Sequence, residues 1–224
     1  MVNFLLENNA DVNKTNANGE TPLHVAAHAG SFESCFTLLE AGAKVNKTTK
    51  TGLTPLHSSI LATKNSARLA SLLIDFGVSI NQEDDYKITP LAMSTIRGNF
   101  GVANLLIEKK AKILNSNYES VAHTCAKQDA CDTECFKLLI SVYGFDSLFD
   151  YSLTNYKTPL QVCVEKKSQN FFKSAILCDK IKCIDWFKSL HSTRGFGVSP
   201  IVMVKEKNIL SIKFVFYFCF YFFF

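Results

Sequence analysis

The sequence is short of most features that announce chemistry or a destination. Its 24 Lys and Arg against 20 Asp and Glu leave a formal charge of only +4 over 224 residues, so composition does not mark a binder of nucleic acid or of an acidic membrane. The N-terminus, Met1-Val2-Asn3-Phe4-Leu5-Leu6-Glu7-Asn8-Asn9, has no basic segment leading into a long apolar run, and it does not read as a secretory signal. A cytoplasmic location is expected. The eight cysteines include no CxxC pair. Disulfide frameworks belong to short secreted chains, so reduced, mostly buried thiols are expected instead. No Gly-rich loop is followed by the Lys of a phosphate site, and Gly195-Phe196-Gly197 lacks the strand or helix that would give a GxG meaning. No Ser, His and acid fall into a known nucleophile motif. The residues thus point to no enzyme and no cofactor.

What is there is repetition. Of only five prolines, four sit in one tripeptide, at Thr21-Pro22-Leu23, Thr54-Pro55-Leu56, Thr89-Pro90-Leu91 and Thr158-Pro159-Leu160. The first steps are 33 and 35 residues, and the gap before Thr158 holds a degenerate unit near Ser120, in steps of 31 and 38. In each unit Thr can cap a helix through its hydroxyl, and Pro occupies a place where a missing N–H costs nothing. Leu23, Ala26 and Ala27 then form a slim apolar stripe, and Gly30 can end that helix in the left-handed conformation. A second helix carries Phe32, Cys35, Phe36, Leu38 and Leu39, and Gly42 closes it before an extended turn at Ala43-Lys44-Val45-Asn46.

A period near 33 that opens Thr21-Pro22-Leu23-His24-Val25-Ala26-Ala27-His28-Ala29-Gly30 resembles the ankyrin repeat. The resemblance implies an all-α solenoid of helix pairs with short β-hairpin-like loops, here of about five repeats. Leu72-Leu73, Gly77 and Asn81 match Leu38-Leu39, Gly42 and Asn46 after an insertion around Thr63 to Ala67. In the third unit Ala92, Gly98, Leu106-Ile107 and Ala111 match, but Lys110 replaces the closing Gly and that helix end is expected to fray. The fourth keeps His123, Ala126, Cys135-Phe136 and Leu138-Leu139, yet Val121 stands in the Pro place and it reads as eroded.

The array is expected over 1–180, with a partial repeat at 1–15 and repeats near 16–48, 49–83, 84–115, 116–150 and 151–180. An irregular or helical extension at 181–208 and an apolar tail at 209–224 complete the chain. Leu5 to Asn13 matches Leu38 to Asn46 at a spacing of 33, so the chain begins inside a second helix and further repeats are expected upstream. A spanning helix needs about 20 apolar residues. The run from Ile209 to Phe224 is shorter and contains Ser211 and Lys213. It reads either as the beginning of a membrane segment or as translated intron sequence, and membrane association is expected only if the tail is native.

His24, His57 and His123 share one repeat position, which the resemblance assigns to hydrogen bonds between neighbouring turns. His123, Cys125, Cys131 and Cys135 lack paired metal-ligand spacing, and Cys135 aligns with Cys35 as a buried helix position, so no metal is expected. The resemblance also implies that partners contact the hairpin tips and the open ends of the inner helices. Those positions give Glu20, His28, Lys47, Lys50, Leu53, Asp85, Tyr86, Ile88 and Arg97 as the candidate protein-binding set, with Glu119 and Lys127 in the fourth unit. Tyr86 and Arg97, flanked by Leu53 and Ile88 read as exposed, have hot-spot character. Lys14, Lys44, Lys47 and Lys50 against Glu83, Asp84 and Asp85 suggest a dipolar groove. The expected function is a monomeric, non-catalytic adaptor or scaffold that binds other proteins and no nucleic acid. Alternatives are the cytoplasmic domain of a membrane protein such as a channel and, more weakly, the recognition arm of a ubiquitin ligase.

Overall fold

The computed structural model describes residues 1–144 and 158–178. Within them the elements are α1 (Val2–Glu7), α2 (Pro22–His28), α3 (Phe32–Glu40), α4 (Pro55–Ile60), α5 (Ser66–Asp75), α6 (Pro90–Ile96), α7 (Phe100–Glu108), α8 (Val121–Gln128), α9 (Thr133–Tyr143), α10 (Pro159–Lys166) and α11 (Gln169–Cys178). No strand forms among the described residues, and a single antiparallel bridge joins Leu114 and Ser120. The readings made of the connection at 145–157, of Gly195-Phe196-Gly197, of the extension at 181–208 and of the tail at 209–224 lie outside the described residues.

The inner helices start where a hydroxyl can cap them. Thr21 Oγ1 accepts from His24 N at 3.4 Å while His24 Nδ1 accepts from Thr21 N at 3.2 Å, and Thr54 with His57 repeats both distances. Such a cap is worth about 1 kcal/mol. At Thr89 an Ala stands in the His place, so only the hydroxyl half survives, with Ala92 N donating to Thr89 Oγ1 at 3.2 Å. At Thr158 the reciprocal partner is Gln161, whose Oε1 accepts from Thr158 N at 2.8 Å. Ser120 and His123 rebuild the whole box in the fourth unit.

The helices pack in two rows. α2, α4, α6, α8 and α10 form one row, α3, α5, α7, α9 and α11 the other, and α1 lies against α3. Small side chains such as Ala26, Ala27, Ala92, Ala122 and Ala126 let the inner helices approach, and Leu38, Leu39, Leu72, Leu73, Leu106, Phe136 and Leu139 fill the space between rows. Phe136 and Phe171 close the far end with an edge-to-face contact at 5.6 Å, a favoured aromatic geometry. Burying one such Leu contributes about 1.5–3 kcal/mol. No helix among the described residues is long and apolar enough to cross a membrane.

Two expectations change. Lys110 does not let α7 fray: it takes φ 60° itself, and Lys110 N reaches Ile107 O at 2.9 Å while Ala111 N reaches Leu106 O at 2.9 Å. The helix end is closed, and the cost appears as backbone strain of about 1 kcal/mol instead. Val121 is likewise more than a lost Pro, because its N–H donates to Ile113 O at 2.9 Å, a bond that Pro could not make.

Candidate functional site

Each of the four hairpins among the described residues is built on one acceptor five residues before the capping hydroxyl. Asn16 Oδ1 accepts from Asn18 N and Glu20 N, Thr49 Oγ1 from Thr51 N and Leu53 N, Asp84 Oδ1 from Tyr86 N and Ile88 N, and Asn115 Oδ1 from Asn117 N and Glu119 N. Sequence reading missed this position. Its spacing is that of the capping residues themselves, and Asn, Thr, Asp and Asn are the residues that bond locally to backbone.

Neighbouring hairpins are then tied tip to tip. Lys50 N donates to Asn18 O at 3.0 Å and Asp85 N to Thr51 O at 3.1 Å. A Cβ on Gly52 would lie 2.8 Å from Asp85 N, and Gly52 has φ +78°, so the close approach needs glycine. The corresponding residue of the third hairpin is Lys87, and there a side chain replaces the backbone bond: Glu83 accepts from Ser116 N and, at 2.6 Å, from Ser116 Oγ. A second ladder runs below the tips. Asn13 Oδ1 accepts from Lys44 N at 2.7 Å, Asn46 Oδ1 from Ser79 N at 2.7 Å, and Asn81 Oδ1 from Lys112 N at 2.8 Å. The third is the His series: His24 Nε2 meets Leu53 O at 3.0 Å and His57 Nε2 meets Ile88 O at 3.3 Å. Burial lowers the pKa of both rings, His57 to about 4, while the bonds to Leu53 and Ile88 oppose the shift.

Against this frame the candidate residues separate. His28, Lys47, Lys50, Asp85, Tyr86 and Arg97 are exposed, Tyr86 at 74%. Glu20 is half-buried and accepts from Asn16 Nδ2 at 2.8 Å. Leu53 is half-buried against the core rather than open. Ile88, expected to be exposed, is buried at 9%, because its carbonyl is drawn in by His57 and its N–H by Asp84. It cannot serve as a free contact in this conformation. Glu119 is also inside, at 5%, with Lys127 Nζ 2.6 Å from its Oε1. Tyr86 and Arg97 sit on the third hairpin and at the C-terminal end of α6, with no bond or ring contact between them.

The dipolar groove also changes. Glu83 is engaged by Lys87 at 3.7 Å and by Ser116. Asp84 is buried, with its pKa raised by desolvation against the opposing pull of the Ile88 and Tyr86 N–H groups. Only Asp85 of the acidic triplet is open to a partner. Cys35 and Cys135 are fully buried in equivalent helices, and burial raises both thiols to about 12. The thiol of Cys131 is pushed far above its usual range, first by its hydrogen bond with Cys125 and then by burial. Among the described residues no three His, Cys, Asp or Glu converge as metal ligands.

Comparison with known families gives a match to the model described as ankyrin repeats (3 copies), over residues 1–84 and 38–117. No curated protein matches the chain.

Proposed function

The chain belongs to the ankyrin repeat family, whose repeats are generally protein-binding modules and typically non-catalytic, and on that premise we propose that it is a monomeric, cytoplasmic adaptor or scaffold module. It holds a partner protein along the hairpin tips and the open ends of its inner helices. One observation carries this reading. The side chains that define the scaffold, Thr21, His24, Thr54, His57 and Asp84, are buried and hydrogen-bonded, the two His rings to the next unit, whereas Lys47, Lys50, Asp85, Tyr86, Arg97 and His28 stand exposed. A rigid scaffold that fixes exposed aromatic, Arg and charged groups is the arrangement of an interface hot spot, because little entropy is lost when they are used.

A photo-crosslinking residue placed at Tyr86 in the full chain, expressed in cells, tests it. The expected product is a discrete covalent adduct with one or a few proteins. The same group at Glu40, exposed at the end of α3, is expected to give none of them. Adducts that form equally from Glu40, or none from Tyr86, would refute the assignment of this edge.

A further inference from the structure

Resting on that protein-binding reading, we propose that the first two full hairpins and the adjoining ends of α4 take an acidic segment bearing aliphatic side chains. Carboxylates of the partner meet Lys14, Lys44, Lys47 and Lys50, and an aliphatic side chain covers Leu53 and Leu61.

The four lysines are exposed and none is in an ion pair, in contrast to Lys87 with Glu83, Lys127 with Glu119 and Lys137 with Glu134. Of the acids nearest in sequence, Asp11 Oδ1 accepts from Asn13 N at 2.9 Å and Glu20 Oε2 from Asn16 Nδ2 at 2.8 Å, while Glu40, before Lys44, is exposed and makes no ion pair with it. The backbones that carry the lysines are held in place: Lys44 N by Asn13 Oδ1 at 2.7 Å and Lys50 N by Asn18 O at 3.0 Å. Fixing the row in advance lowers the entropy lost on binding. With Glu83 and Asp84 drawn into the fold, Asp85 is the acid of that triplet left exposed, and the four exposed lysines favour carboxylates and disfavour like-charged partners.

The aliphatic half of the surface follows from equivalence between units. Glu119 lies one residue before its cap and Lys127 seven after, and the two side chains touch at 2.6 Å. Leu53 and Leu61 hold the same two places about Thr54, at the two ends of α4, and both are half-buried with the remainder of each side chain open. Lys50 and Leu53 belong to one tight turn, closed by Thr49 N donating to Leu53 O at 2.9 Å. A segment with a carboxylate beside an aliphatic residue therefore meets both at once. Leucines offer no ring for a base to stack on, and lysine lacks the planar fork that selects phosphate, so an acidic peptide fits better than nucleic acid.

Fluorescence anisotropy of the full chain with a labelled peptide alternating Glu and Leu tests this, beside a Lys and Leu peptide, oligouridine and phosphatidylserine vesicles. The acidic peptide should bind, with affinity falling as salt rises. Lys47→Glu with Lys50→Glu should weaken it about tenfold, equivalent to about 1.4 kcal/mol. Leu61→Gln should weaken it without altering the salt slope, and circular dichroism should be unchanged in both variants. The proposal is overturned if the acidic peptide fails to bind or binds the double variant as well, or if RNA or vesicles bind more tightly through the same lysines. Crosslinking from Tyr86 reads protein binding without regard to charge, so an adduct without acidic-peptide binding would overturn this inference alone.

Discussion

Mild acid should destabilise this protein through its buried histidines, and His57 sets most of the effect. Its Nδ1 accepts the Thr54 N–H at 3.2 Å and lies 2.9 Å from the Thr54 hydroxyl, while Nε2 faces Ile88 O at 3.3 Å. Only the neutral ring with hydrogen on Nε2 satisfies all three. A proton on Nδ1 would confront a backbone donor at a buried helix start. Burial holds the folded pKa at about 4 against 6.5 for an ordinary His. Above 6.5 both states are neutral and the ring contributes no pH dependence. Between 6.5 and about 4 the unfolded chain binds a proton that the folded chain refuses, so stability falls as pH falls. Each pH unit in that window removes about 1.4 kcal/mol, giving a loss of about 2 kcal/mol between about pH 7 and about pH 5. His24, lowered by the same cause, adds to the loss. Asp84, raised by burial, works the other way and gains stability for the fold only as pH falls toward the ordinary carboxylate range. Urea unfolding followed by circular dichroism at the two pH values measures the difference. His57→Gln is the decisive variant, because Gln161 already makes the reciprocal bonds at Thr158 and Gln does not titrate. The variant should lose less stability on acidification than the parent. Equal pH dependence in parent and variant, or a parent more stable at the lower pH, would refute the reasoning.

Gly52→Ala should destabilise by about 2 kcal/mol or more, since the new Cβ meets Asp85 N at 2.8 Å at a positive φ; Gly42→Ala, with open space around it, should cost only about 1 kcal/mol, and urea midpoints compare them. Asn46→Ala should cost about 1–2 kcal/mol by leaving Ser79 N and Gly77 O without the bridge they share, read as faster hydrogen exchange at Ser79. Lys110→Gly should stabilise by about 1 kcal/mol by relieving the φ 60° strain at the end of α7, visible as a higher urea midpoint.

The starts of the inner helices were legible in the sequence because their cause is local. A hydroxyl reaches the third N–H beyond it, and proline presets the helical φ, whatever lies alongside. The repeat spacing followed from the same punctuation, and so did the His position, through the resemblance it carried. Exposure was less legible. Ile88, Glu119, Asp84 and Leu53 sit at positions that are open in a generic repeat, yet each is drawn inward by a particular neighbour: His57, Lys127, the Tyr86 and Ile88 N–H groups, and His24. Lys110 and Val121 were read as defects because a one-dimensional pattern registers a missing Gly or Pro, and not the left-handed turn or the extra N–H bond that the replacement supplies. By itself the sequence determined a stacked helix-pair scaffold and where each unit begins. Only the tertiary structure decided which loop side chains remain free to bind, because a hairpin residue's exposure is set by the particular bonds it meets in the fold, some within its own unit, as at Asp84 and Glu119, and some to the next, as where His24 and His57 hold Leu53 and Ile88.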